Sequence, residues 1–377
     1  MDAIQYDGII ALLLFLVGVP VLVLQFMSQE IRNVLEVEKK IFSEVSIYLA
    51  ISFGIISLAV LKSIENSTPM IWMTMFALLF LVVTFSAATV LSRYGFRENT
   101  IRRLTRKINL KNGRLHNTNL QDLVEIGKQS SAGTNRGMVI NALRLIVEEI
   151  CTNPRYRGDS LENLITGIVH ILTTSPTAED LQNFETASDI LTTILSSNAV
   201  ERNDKQYIDQ FHAVNALSAL GQTMLAHTGF SAEADYIMMD FEEALGLVVM
   251  LHPELLPDVT QALLVMGSVA LRNNRYLFAV AAMERMLTLI EANQPVSPKS
   301  QAEMLGLTAH FWTEKGSSRL FIESRLERIS SLISPSLQIA IDQACQSFQM
   351  TMRFDTADQL LIMRNELKYK KKKKRNP

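Results

Sequence analysis

Asp209 and His212 lie three residues apart, a spacing that puts a carboxylate and an imidazole on one helix face. A metal site in a helical bundle needs a second such pair. The other histidines, His116, His170, His227, His252 and His310, do not provide one. Gly127–Ser130 (GKQS) is similar to the end of a phosphate loop. That loop needs a glycine where Asp122 stands and a strand before it, and the sequence has neither. There is no GxSxG elbow and no dinucleotide fingerprint. Cys151 and Cys345 are far apart, form no CxxC and sit in apolar helical contexts. Core packing is the expected role for both thiols, as it is for Phe311 and Trp312. These residues lead us to expect a protein without catalytic activity, metal or cofactor.

Charge is the chemistry with a pattern. Leu91–Arg114 (LSRYGFRENTIRRLTRKINLKNGR) holds eight Arg and Lys residues and one acid, Glu98. The tail Lys368–Pro377 holds seven bases and no acid. Between them, Leu115–Leu367 carries 17 bases and 30 acids, a net of −13. Basic ends therefore flank an acidic body. Arg93, Arg97, Arg102, Arg103, Arg106 and Lys107 are candidate contacts to an anionic inner leaflet, as are Lys370, Lys371, Lys372, Lys373, Lys374 and Arg375. Each base near such a surface contributes about 1 kcal/mol. The tail has no interleaved aromatic beyond Tyr369, so the bilayer rather than nucleic acid is the expected polyanion. From Lys205 to Arg272 there is no base between, and eight acids, including Glu233, Asp235, Asp240, Glu242 and Glu243, fall in the gap. These five form a candidate face for a basic protein partner. A solvated surface held off the anionic membrane is the other reading.

The elements that position these charges begin with three uncharged apolar runs, about 8–27, 45–61 and 70–91. Twenty helical residues cover about 30 Å, the thickness of a bilayer's hydrocarbon core. The first run is long and preceded by Asp2 and Asp7, so it reads as a retained anchor, not a cleaved signal peptide. Bases in the flanks alternate: none before the first run, then Arg32, Lys39 and Lys40, none in the second loop Ser63–Pro69 with Lys62 at its edge, then the cluster after Leu91. The positive-inside rule then places the N-terminus outside and everything after Leu91 in the cytoplasm. The expected location is a bacterial inner membrane. Ser46, Ala50 and Gly54 form a small-residue stripe that lets helices approach closely. The stripe either packs the three spans together or joins two copies in a homo-oligomer.

After a basic stalk at 93–116, apolar residues follow helical spacing across 117–367. Runs such as NPRYRGDS, SPTAED, HPELLP and NQPVSP punctuate about twelve helices, or six antiparallel pairs. The polybasic tail at 368–377 follows. Gly221, Gly267 and Gly306 recur inside apolar helices at spacings of 46 and 39. After Gly267 come Asn274 at a turn, Tyr276, and Ala279 in the next helix. The dipeptide Glu284-Arg285 recurs as Glu327-Arg328.

This pattern resembles a degenerate tetratricopeptide repeat, with Asn274 where that family places its turn glycine. The resemblance covers roughly Asp209–Glu366, and a HEAT-like solenoid fits the period as well. It implies stacked helix pairs that bind peptides or proteins. Leu120–Leu143 is also similar to a stretch in an uncharacterised family of bacterial membrane proteins with N-terminal spans. The expected fold is all-α: three transmembrane helices, then a cytoplasmic α-solenoid of antiparallel helix pairs. The expected function is a membrane-anchored adaptor or sensor for a protein partner. The alternative is an oligomerising membrane effector or pore, gated by its cytoplasmic domain.

Overall fold

The computed structural model describes residues 101–102, 104–105, 117–130, 134–152, 160–196, 204–227, 233–314, 318–333 and 336–375. The three expected spans, the Ser46, Ala50 and Gly54 stripe, and Arg93, Arg97, Arg103, Arg106 and Lys107 lie outside them. The described residues are all-α, with no strand among them.

Twelve α-helices are described from residue 117 onward: α1 (Asn117–Lys128), α2 (Thr134–Thr152), α3 (Ser160–Thr173), α4 (Leu181–Ser196), α5 (Asp204–Ala226), α6 (Glu233–Leu251), α7 (Leu256–Arg272), α8 (Tyr276–Ala292), α9 (Pro298–Thr313), α10 (Ser318–Leu332), α11 (Leu337–Met350) and α12 (Phe354–Arg375). The chain divides into two compact units, with α1 from Thr118 onward in the first and α2–α12 in the second.

Local chemistry sets the helix ends. The Ser297 hydroxyl caps α9 by accepting from the Ser300 amide at 3.1 Å, and Pro298 opens the helix where its missing N–H costs nothing. Asp180, in a short 3₁₀ turn before α4, accepts from the Thr177 amide at 3.1 Å. Its carboxylate also receives the Arg136 guanidinium of α2 at 2.7 Å, with both groups buried. Arg136 further donates to the Thr174 carbonyl at 2.7 Å, so one cation closes the α3–α4 connection onto α2.

Within the second unit, packing follows the alternation of the chain. α3, α5, α7 and α9 pack successively on one another, and α9 also packs on α11 and α12. α2, α4, α6, α8 and α10 form a second row in the same way. The three glycines lie along the first row. A Cβ on Gly221 of α5 would overlap the Met266 sulfur of α7. One on Gly267 of α7 would come within 2.8 Å of Leu307 of α9. One on Gly306 would meet Thr356 at 3.0 Å, Phe348 at 3.1 Å and Leu264 at 3.2 Å. Each glycine lets the next helix of the row close in.

The segment Pro253–Arg272, a 3₁₀ turn running into α7, is long and apolar enough to cross a membrane, but 72 % of its most apolar window is buried. Its apolarity comes from its place at the centre of the array, between α5, α8 and α9.

Two turns are built alike. After α7 the amide of Asn274 donates to Leu271 O at 3.2 Å and that of Arg275 to Ala270 O at 2.8 Å, with Asn274 at φ 58°. After α11 the amide of Met352 donates to Gln349 O at 3.1 Å and that of Arg353 to Phe348 O at 2.8 Å, with Met352 also at φ 58°. Both are Schellman closures with a left-handed residue. When Asn274 is aligned with Met352, the two turns can be laid side by side without a gap, and Ala262, Arg275 and Ala279 fall on Ala340, Arg353 and Ala357. Gly267, Tyr276 and Ala279 then correspond to Cys345, Phe354 and Ala357. Ala279 and Ala357 are both buried. Cys345 fills the small first-helix position, with Sγ 3.7 Å from the Ala357 carbonyl of α12.

Candidate functional site: the charged faces of the array

The acidic stretch between Lys205 and Arg272 divides when folded. Arg275, at the start of α8, reaches Asp235 of α6 at 3.3 Å. Arg285 of α8 pairs with Glu242 of α6, which is buried. The next step repeats the arrangement: Glu284 of α8 receives Arg325 and Arg328 of α10, and Arg328 also binds Glu291. The adjacent residues Glu284 and Arg285 thus face opposite neighbours, one forward and one back. Each of these ion pairs joins one helix of the second row to the next, so the packing of that row brings acid and base together. Hydrogen bonding from Arg328 draws the Glu291 carboxyl below its ordinary range and raises Arg328. Glu291 is exposed and Arg328 half-exposed, so this pair contributes little to stability.

Two of the five candidate partner-face residues, Asp235 and Glu242, are therefore held inside the array. Glu233 opens α6. Asp240 and Glu243 are exposed on α6, near Asp189 of α4. Burial, then repulsion from Glu243 and from Asp189, raises the Asp240 carboxyl. These three acids repel one another at neutral pH.

The other sequence candidates fall into scattered structural roles. His212 of α5 lies 3.7 Å from Glu162 of α3, and Gln210 lies 2.7 Å from His252. Among the described residues no three His, Cys, Asp or Glu side chains gather as a metal-binding group. Phe311 and Trp312 are buried in α9, and the Trp312 indole donates to Glu366 of α12 at 3.2 Å. Arg102 is exposed in a short helical fragment. Lys370, Lys371, Lys372, Lys373, Lys374 and Arg375 continue α12 without a break.

Sequence reasoning missed the buried polar latch between α9 and the last pair. Glu303 of α9 receives Arg353 at 3.0 Å on both oxygens, and His310 Nε2 lies 3.2 Å from the Thr356 hydroxyl. Burial pushes Glu303 up, against the pull of Arg353. Burial also drives His310 down to about 4. Arg353 occupies the position after the left-handed residue, as Arg275 does, and that shared position was the available signal.

No protein-family model, curated protein or solved structure matches this chain.

Proposed function

We propose that this chain is a membrane-anchored adaptor whose helix pairs form a cytoplasmic α-solenoid that binds a protein partner. The observation that carries the reading is the repetition of one turn at Asn274 and Met352, together with stacking of alternate helices in two rows. A single helix pair cannot bury its apolar stripe. Stacking makes one continuous core and leaves a long surface for contacts. The tetratricopeptide resemblance agrees with this reading. The three uncharged runs and the alternation of basic flanks support the anchor and its orientation.

Asp189, Asp240 and Glu243 are the acids we assign to the partner. A basic segment laid across α4 and α6 would relieve their mutual repulsion, so its binding should weaken with salt. The test is cross-linking in intact membranes with the full-length chain, then mass spectrometry. A specific protein recovered by the wild type, and lost on Asp240→Lys with Glu243→Lys, supports the adaptor. Recovery of lipid-exposed neighbours alone, unchanged by the charge reversal, counts against it. A reporter fused behind Pro377 checks orientation separately and should face the cytoplasm.

A further inference from the structure

Exposed apolar side chains are scattered over the described helices, and α6 is the exception. Tyr236, Asp240, Glu243, Leu247 and Met250 follow one another at spacings of 4, 3, 4 and 3. All five are exposed, Tyr236 by 71 %, Leu247 by 38 % and Met250 by 78 %. Among the described residues no other helix sets three exposed large apolar side chains on one such line. The opposite side of α6 belongs to the array: Met238, Phe241, Leu245 and Val249 are buried, and Glu242 binds Arg285 of α8. At the Tyr236 end Arg275 of α8 holds Asp235, and Leu277 of α8 adds an apolar side chain that is 57 % exposed.

The order of residues along this stripe selects its occupant. Spacings of 4 and 3 mark the line on which one helix seats against another. From Tyr236 to Met250 the line covers about 21 Å, roughly four turns. An extended segment would need a sheet edge for its backbone N–H and C=O groups, and the described residues contain no strand. A helix satisfies those groups itself. Its side chains must be apolar opposite Tyr236, Leu247 and Met250 and basic opposite Asp240 and Glu243. Asp189 of α4 adds a third acid beside Asp240. The same stripe of a second copy does not meet this demand. Antiparallel, it would set Glu243 on Glu243; in parallel, it would also set Asp240 on Asp240. An anionic lipid surface is repelled by the acids at mid-stripe.

We propose that this stripe of α6 seats one amphipathic helix of the partner protein, apolar at both ends and basic in its middle. The inference rests on the adaptor reading for the existence of a partner. It adds the partner's secondary structure and pattern: charge alone draws a basic segment to α4 and α6, whereas Tyr236, Leu247 and Met250 fix where along α6 it lies.

The test uses the detergent-solubilised full-length chain and labelled synthetic peptides built on alanine and glutamine. One peptide carries Leu, Arg, Arg, Leu and Leu at the spacings of the stripe. A second carries the reverse order, so that both helix directions are covered. A third, of the same composition, scatters the five residues around the helix. By fluorescence anisotropy one of the first two should bind about tenfold more tightly than the third. Tyr236→Ser with Met250→Ser should weaken that binding several-fold at unchanged Tm. Asp240→Lys with Glu243→Lys should abolish it. Glutamate in place of both peptide arginines should then restore it, which a misfolded chain could not do. Equal binding of the scattered peptide, or indifference to the Tyr236 and Met250 changes, sinks the proposal. So does an efficient disulfide-linked dimer through Leu247→Cys in membranes, or labelling of that cysteine by a lipid-borne maleimide; these would give the stripe to a second copy or to the bilayer. In the membrane cross-linking experiment, a protein lost on Asp240→Lys with Glu243→Lys but kept on Tyr236→Ser with Met250→Ser leaves the adaptor standing and overturns this inference. Peptide binding as described, with no protein recovered from membranes, does the reverse.

Discussion

At the scale of single residues the latch between α9 and the last pair is the most consequential feature. His310 is buried, and desolvation holds its imidazole near 4; Asp355 opposes the shift, while Arg272 and Arg353 add to it. An unfolded chain binds a proton at about 6.5, whereas the folded one stays neutral until near 4. Between those values the unfolded state binds more protons, so folding loses stability as the pH falls. The loss attributable to this one group reaches about 3 kcal/mol by pH 4. Glu303 acts the other way: its raised carboxyl means that protonation favours the folded state in acid. Urea unfolding of the detergent-solubilised chain, monitored by helical circular dichroism, should show a midpoint that falls from pH 6.5 to 4. His310→Gln should flatten that slope, and an unchanged slope would remove His310 from the account. The sequence presents His310 as one of six histidines, none of them in an HExxH motif. Its partner Thr356 belongs to a helix reached only after α10 and α11, beyond what local spacing can report.

At the scale of elements, glycine sets how closely the helices of the first row approach. Alanine in place of a helical glycine normally gains about 1 kcal/mol of propensity. At Gly306 the added methyl would press on a β-branched Thr356, an aromatic Phe348 and Leu264, at 3.0–3.2 Å. None of these three can yield cheaply, since the first two are stiff and all sit in the packed core. Gly306→Ala should therefore lower Tm, while Gly246→Ala, which meets only the Arg285 side chain, should leave it level or raise it. A higher Tm for Gly306→Ala would mean that α9 and the last pair are less tightly packed than described. The repeated glycines were legible because a small residue at regular intervals in apolar helices has few other uses. The second turn was not legible, because methionine gives no hint of a left-handed conformation. Only its amides, directed at Gln349 and Phe348, identify Met352 as the counterpart of Asn274.

At the scale of the whole molecule, α9 depends on the last helix pair. From Ala302 to Trp312 every residue of this helix is buried, and α11 and α12 cover one side of it. A chain ended after Ile333 should lose cooperative thermal unfolding and aggregate on heating. One ended after Leu367 should melt like the full chain, because only the basic extension of α12 is removed. Equal melting of both would show that the last pair is an appendage and not part of the core. Several features were determined by the sequence alone: the all-α character, helix punctuation by Pro, Gly and Asn, the glycine repeat, and the separation of basic ends from an acidic body. Each of these depends on neighbours in the chain or on composition, which local physics resolves. Tertiary structure alone decided which acids remain available and which are held by bases of the next helix in the row, as Asp235 and Glu242 are. It also decided that the most apolar described segment is a core helix, packed between α5, α8 and α9. Those outcomes depend on which helices stack, and stacking is set by summed burial over the whole array, which no single stretch of sequence encodes.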